Sequence, residues 1–353
     1  MKIALVTDTH WGVRNDNSTF HEYFERFYGE VFFPYLRENG IKDIVHLGDI
    51  VDRRKYINFV SARALRQQFI TPAMLEFNTH IIIGNHDTFY KNTNSVNALE
   101  ELYWLNTNEN FKWYTSAQEV EFDGCKILFI PWMCSENSRE TLELISRTDA
   151  QIAFGHLELS GFSMYKGHVA LDGDDPKLFT KFDLVCSGHY HTRSSSGNIH
   201  YLGAPCEYTW SDFNDPRGFH VFDTETRELE FIQNPITIFK KIFYDDEDME
   251  LEEILEFDTD SYENCIVKVI VKNKMNPYWF DMFIDKLEEA GVIDLSVVED
   301  HLNLGLESDQ DIVDEAEDTL TIIRKCIDQL NLPETNKLEQ IFTSLYQEAM
   351  TIE

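Results

Sequence analysis

The sequence predicts an α/β fold built in layers, and three observations predict it. Short apolar runs rich in β-branched residues alternate, through the first 237 residues, with longer segments of helical period. Several of these runs, IALV, HIII and KILFI among them, are apolar without interruption, the mark of strands buried on both faces. After Pro235 the pattern changes to a short α+β alternation and then to two helical segments, so a small second unit and a tail follow the layered domain.

Taken in order, strands are expected at residues 3–7, 43–47, 80–83, 125–130, 152–154, 184–186, 200–202 and 219–222. Helices are expected over 20–38 and 61–77, with a shorter one near 96–105. The second unit reads as a strand at 238–243, an acidic insert at 245–260, a strand at 265–271, a helix at 278–290 and a strand near 295–298. The insert and the stretch 299–318 contain no Lys or Arg, and self-repulsion predicts solvated, extended chain in both. Two short helices then carry Leu320, Ile323, Ile327 and Leu330, and Leu338, Ile341, Phe342 and Leu345, separated by Leu332 and Pro333. Such a pair cannot bury both apolar faces alone, so the tail is expected to dock on another surface. The division is 1–237, a layered domain; 238–304, a small α+β domain; 305–318, an acidic linker; and 319–353, a helical tail.

Composition limits the functions open to the chain. Its 353 residues hold 30 Lys and Arg against 63 Asp and Glu, a formal charge of −33, which excludes coating nucleic acid by bulk attraction. The acidity is uneven: residues 1–237 carry 21 basic and 33 acidic groups, and residues 238–353 carry 9 and 30. With 43% hydrophobic residues the chain has material for a sizeable core, and global disorder is excluded. Six scattered cysteines (Cys125, Cys134, Cys186, Cys206, Cys265, Cys326) form no Cys-x-x-Cys pair, so reduced thiols in a cytoplasm are expected. The opening apolar run stops at Asp8, and no segment reaches the roughly 18 apolar residues of a membrane span.

Five clusters follow five of the expected strands: Asp8-Thr-His10, Gly48-Asp49-Ile-Val-Asp52, Gly84-Asn85-His86-Asp87, Gly155-His156 and Gly188-His189-Tyr-His191. Groups at the carboxyl ends of neighbouring strands in a layered α/β domain converge on one crevice. Each cluster alone reads as a turn; together, in this order, they read as a metal site. Asp49 is the natural bridge between two cations. Asp8, His10 and His191 would complete one site, and Asn85, His156 and His189 the other. Mixed imidazole, carboxylate and amide oxygen suits Mn²⁺, Fe²⁺ or Zn²⁺ better than Mg²⁺ or Ca²⁺. A pair of such ions points to phosphoester hydrolysis. His86 is assigned as general acid or phosphate-positioning group, with Asp87 fixing its tautomer; its alternative role is a further metal ligand. Arg14, Arg53, Arg54 and Lys55, beside these motifs, are candidate contacts to a nucleic-acid backbone, or ordinary surface charge. No Gly-x4-Gly-Lys-Ser/Thr loop occurs, so any ATP-dependent step must come from a partner.

These five motifs look like the full signature of the calcineurin-like metallophosphoesterases. The Gly-Asn-His-Asp form, and Asp52-Arg53-Arg54 where protein phosphatases show Asp-Arg-Gly, resemble the SbcD-type or Mre-type nuclease subunit of DNA double-strand-break repair complexes. IPWMC (residues 130–134) and NDPRGF (residues 214–219) resemble the version made by T4-type bacteriophages. The resemblance implies an α/β/β/α sandwich with a capping domain and a C-terminal helical tail. It implies two divalent ions, with Mn²⁺ the first expectation, and 3′-to-5′ exonuclease and single-strand endonuclease activity on DNA in host cytoplasm. It also implies an SMC-like coiled-coil ATPase bound by residues 319–350, and a homodimer formed through helices of the nuclease domain, here 61–77 and 96–105. The alternative is a metal-dependent phosphatase or phosphodiesterase acting on nucleotides or phosphoproteins.

Overall fold

The computed structural model describes residues 1–103, 110–165 and 168–299. The acidic linker 305–318, the tail helices 319–330 and 337–350, and the last residues of the helix expected near 96–105 lie outside the described residues.

The strands, in chain order, are β1 (Lys2–Val6), β2 (Asp43–His46), β3 (Asn78–Ile82), β4 (Phe111–Tyr114), β5 (Gln118–Phe122), β6 (Cys125–Ile130), β7 (Ile152–His156), β8 (Ser163–Tyr165) and β9 (His168–Val169). They continue with β10 (Leu184–Gly188), β11 (Ser194–Ser196), β12 (Ile199–Tyr201), β13 (Gly218–Asp223), β14 (Leu229–Gln233), β15 (Phe239–Asp245), β16 (Ile266–Asn273) and β17 (Asp294–Glu299). Two six-stranded sheets run β14-β13-β1-β2-β3-β4 and β11-β12-β10-β7-β6-β5. In the first, β1 to β4 are mutually parallel and β13 returns antiparallel beside β1; in the second, β6, β7, β10 and β12 are parallel.

Alternation along the strands stacks the sheets. Ile3 and Leu5 of β1, Val45 of β2 and Ile82 of β3 share one buried cluster with Ile127 and Phe129 of β6, Ile152 and Phe154 of β7, and Cys186 of β10. The intervening residues Leu128, Ile130, Ala153 and Val185 face the other way, into a cluster with Ile145 of the helix Ser138–Arg147. On the first sheet's outer side Phe27 and Phe32 lie 6.4 Å and 4.9 Å from the Phe219 ring, and Phe69 lies 5.8 Å from His46. The order of layers is therefore helix, sheet, sheet, helix, as the α/β/β/α expectation requires.

The long helices depart from regularity. Ser18–Arg26 passes into a π-helical turn, Phe27–Phe32, and then Phe33–Glu38; Phe59–Leu65 passes through Arg66–Ile70 into Thr71–Glu76. Each wide turn ends two residues before a proline, Pro34 or Pro72, whose ring has no N–H and would strike the carbonyl one turn earlier. Widening the turn removes that clash without ending the helix.

From β15 onward the chain forms a βαβαβ arrangement in which β15, β16 and β17 are all parallel. Val267, Val269, Phe280, Phe283 and Leu287 form its core, the last three from the helix Pro277–Glu289. The expectation of an extended acidic insert is corrected here. Leu251–Glu256 is a helix whose Glu250 and Glu253 cap its start reciprocally, and Ile254 is buried in the core of the unit. Burying one apolar face outweighs repulsion among acidic groups that remain in water.

Candidate metal centre

Parallel pairing brings the ends of β1, β2 and β3 in one sheet, and of β7 and β10 in the other, to one edge of the sandwich. Beyond β1 and β2 the chains stay paired, Asp8 N–H donating to Gly48 O at 2.9 Å and His10 N–H to Asp49 O at 3.1 Å. Asp8, His10, Asp49 and His189 all have positive φ, of 51°, 43°, 56° and 91°. Each is held in a sparsely populated conformation that turns its side chain into the crevice. The strand ends approach so closely that a Cβ on Gly84 would fall 2.3 Å from both the amide N and Oδ1 of Asp49.

Two donor sets converge there. His10 Nε2 lies 3.0 Å from His191 Nε2, 3.9 Å from Asp8 Oδ1 and 3.8 Å from Asp49 Oδ2. Asn85 Oδ1 lies 2.9 Å from His156 Nε2 and 3.0 Å from His189 Nδ1, and Asp49 Oδ2 is 3.3 Å from His156 Nε2. The structure thus brings all seven sequence-derived ligands together, with one oxygen, Asp49 Oδ2, facing both sets. Its other oxygen, Oδ1, accepts the His86 amide at 2.7 Å, so the shared group is a single oxygen atom instead of a carboxylate using both. Hydrogen bonding alone does not complete this arrangement: the His10 and His191 rings share one N–H···N bond, and buried His10 Nδ1 is left without a hydrogen-bond partner. Imidazole, carboxylate and amide oxygen in two converging sets fit a pair of divalent transition ions.

The electrostatics favour that occupancy. Burial pushes the Asp8 carboxyl up and drives His10 far down and His189 down to about 3, leaving both imidazoles neutral and able to ligate. Burial also works against charge on Asp49, but His156 and His86 hold its carboxyl well below the usual range. Against the same desolvation, Asp49 holds His156 up to about 9.

The role expected of Asp87 is corrected. Its carboxylate accepts the amides of Gly84 and Asp49, each at 2.9 Å, Ile50 at 2.8 Å and Val51 at 3.2 Å, so it clamps the loops after β2 and β3. A carboxylate in reach of four backbone donors has no oxygen to spare for His86. His86 Nδ1 instead lies 2.5 Å from the Asp52 carbonyl, an acceptor only, which fixes the proton on Nδ1. Burial, then Asp49, push the Asp87 carboxyl up to about 7.

Of the cationic candidates, Arg54 donates to Asn85 O at 2.7 Å and Arg14 to Tyr208 O at 2.9 Å, while Arg53 pairs with Asp16 at 2.6 Å. Lys55 is exposed. Sequence reasoning missed Tyr208, whose hydroxyl donates to Asp8 O at 2.6 Å, and Trp132, whose ring stands 5.3 Å from His189. It also gave Asp52 no role. The Gly-Asp-x-x-Asp spacing was a signal for Asp52, and the IPWMC segment one for Trp132; nothing in a lone Tyr distant in sequence signals Tyr208.

Residues 1–193, which contain every candidate ligand above, match the calcineurin-like phosphoesterase family. The chain belongs to that family. It is a metal-dependent phosphoester hydrolase. It is 40% identical over 244 residues to exonuclease subunit 1 of Enterobacteria phage T4, an alignment covering 69% of this chain and 71% of the relative. It is 29% identical over 317 residues to the SbcD subunit of the SbcCD nuclease of Staphylococcus epidermidis, covering 80% of this chain and 79% of that one. The corresponding SbcD protein of Staphylococcus saprophyticus is 24% identical over 262 residues, covering 65% and 67%. Among the described residues no helix is long and apolar enough to cross a membrane.

Proposed function

We propose that the protein is a two-metal DNA nuclease, a 3′-to-5′ exonuclease and single-strand endonuclease, working as one subunit of a recombination and break-repair complex with an SMC-like ATPase. The observation that carries the reading is the single Asp49 oxygen facing two complete donor sets, with His86 anchored beside it, in a chain whose relatives are nuclease subunits.

Two divalent ions, most simply Mn²⁺, would supply hydroxide at neutral pH and neutralise phosphate charge. Asp8, His10 and His191 would hold one, Asn85, His156 and His189 the other, and Asp49 both. His86, with its Nδ1 proton on the Asp52 carbonyl, presents Nε2 to a phosphate oxygen and holds or passes the proton the leaving oxygen needs. Asp87 fixes the loop that carries both Asn85 and His86. Lys55 and the arginines at positions 14, 53 and 54 would contact the DNA backbone. With −33 on the whole chain, affinity for DNA would rest on bound cations, these local groups and the partner.

Two interfaces belong to the same reading. Phe59 (92% exposed), Val60 and Leu75, on the helical segments Phe59–Leu65 and Thr71–Glu76, and Leu102, on Ala98–Tyr103, leave apolar surface that supports a homodimer through these helices. Residues 319–350 are assigned to the coiled coil of the ATPase, and host cytoplasm is the compartment expected. The test is cleavage of 3′- and 5′-labelled linear duplex and of circular single strands in Mn²⁺. Release of mononucleotides from 3′ ends and nicking of circles support the proposal; an inert response to all three, with a small phosphodiester still cleaved, overturns it in favour of a phosphodiesterase.

A further inference from the structure

The segment between β12 and β13 contributes no ligand, yet it closes a ring of contacts around one donor set only. The Tyr208 hydroxyl donates to Asp8 O at 2.6 Å, where the backbone is held at φ 51°. Its ring stands edge-on to both His10 and His191, each centroid 5.8 Å away. The Tyr208 amide donates to Asp212 Oδ2 at 2.6 Å, Asp212 Oδ1 accepts from Arg217, and Arg217 donates to the carbonyl of His191. Asp8, His10 and His191 are therefore bracketed from behind, whereas Asn85, His156 and His189 have other supports: the carbonyls of Asn85 and Leu47 meet Arg54 and His156 Nδ1. At the other side of Tyr208, buried Glu207 accepts the amides of Ile238 and Phe239, at 2.7 Å and 3.0 Å, where the chain enters β15 and the small domain.

Resting on the two-metal reading, we propose that Tyr208 and Arg217 are positioning residues for the Asp8–His10–His191 ion alone, and that Glu207 couples that ion's site to the small domain. Partners behind metal ligands set ligand orientation, and losing one typically costs about 10- to 100-fold in metal affinity. The bracket makes this loss selective, because its direct contacts are to Asp8, His10 and His191, and it meets the other set only through the His189 amide, which donates to the Asp8 carboxylate at 3.0 Å.

The experiment is Mn²⁺ titration of the full chain followed by calorimetry and by electron paramagnetic resonance, with thermal unfolding in parallel. Tyr208→Phe, which removes one hydroxyl and keeps the ring, is expected to weaken one of two bound ions about tenfold or more and leave the other unchanged. Glu207→Ala is expected to weaken the same ion, and Glu207→Gln, which keeps an oxygen for the two amides, to restore it. Two ions bound by Tyr208→Phe as in the wild type overturn the positioning role, as does equal weakening of both with a lowered Tm. Weakening by Tyr208→Phe but not by Glu207→Ala overturns the coupling. A wild-type chain that binds fewer than two ions overturns the two-metal reading itself, an outcome distinct from all of these.

Discussion

At the scale of single residues, the site separates ligands from groups that act beside them. His86 lies beside the His10 ring, centroids 4.8 Å apart, but its Nδ1 is taken by Asp52 O at 2.5 Å. His86→Ala is therefore expected to retain both ions in a binding titration while hydrolysis falls about 10²- to 10⁴-fold; parallel loss of bound Mn²⁺ would make it a ligand. His156 gives a pH dependence with a definite sign. Its imidazole is held up to about 9, so without metal it is protonated at pH 7.5, and an ion must displace that proton. Mn²⁺ affinity is expected to rise with pH toward about 9, with close to one proton released at pH 7.5, measured from the buffer dependence of the calorimetric enthalpy.

At the scale of elements, Asp87 and Glu207 join chain segments through backbone amides. Asp87→Ala strands donors buried between β2 and β3 and is expected to destabilise by about 3 kcal/mol or more in denaturant titration. Glu207 is raised by burial from 4.5 to about 7. The fold thus holds a proton that the unfolded chain releases near 4.5, and the stabilisation is present below 4.5 and lost as pH rises through 7. The difference in unfolding free energy between Glu207→Gln and wild type is expected to shift toward the variant by a few kcal/mol from pH 4.5 to 8, of the order set by that shift; a difference flat with pH would refute it. Strands buried on both faces were legible because burial leaves one solution, a continuous apolar run, as in KILFI of β6. Edge strands β5 (QEVEF) and β14 (LEFIQ) were not, since strands with at most one buried residue carry little pattern. The helix Leu251–Glu256 was hidden by its charge: a single turn buries Ile254, too short a period to read. The convergence of the seven candidate donors was legible because metal chemistry restricts residue type. Tyr208 and the backbone role of Asp87 were not, because contacts to main-chain atoms place no demand on sequence spacing.

At the scale of the whole molecule, excess negative charge and a phosphate-cleaving centre coexist because the charge is uneven, with 30 of 63 acidic groups after residue 237. Under the proposed function, deleting residues 319–353 is expected to abolish retention by an SMC-like ATPase in a pull-down while sparing Mn²⁺-dependent cleavage; loss of both would place the tail in the catalytic fold. The central claim, two ions cleaving DNA at one shared carboxylate, is tested most directly by titrating Mn²⁺ against cleavage of end-labelled DNA by the wild type and Asp49→Asn, with a small phosphodiester alongside. The expected result is cleavage of both substrates that rises with the second equivalent of Mn²⁺ and disappears in Asp49→Asn; hydrolysis of the small diester with DNA untouched at every Mn²⁺ concentration would contradict it.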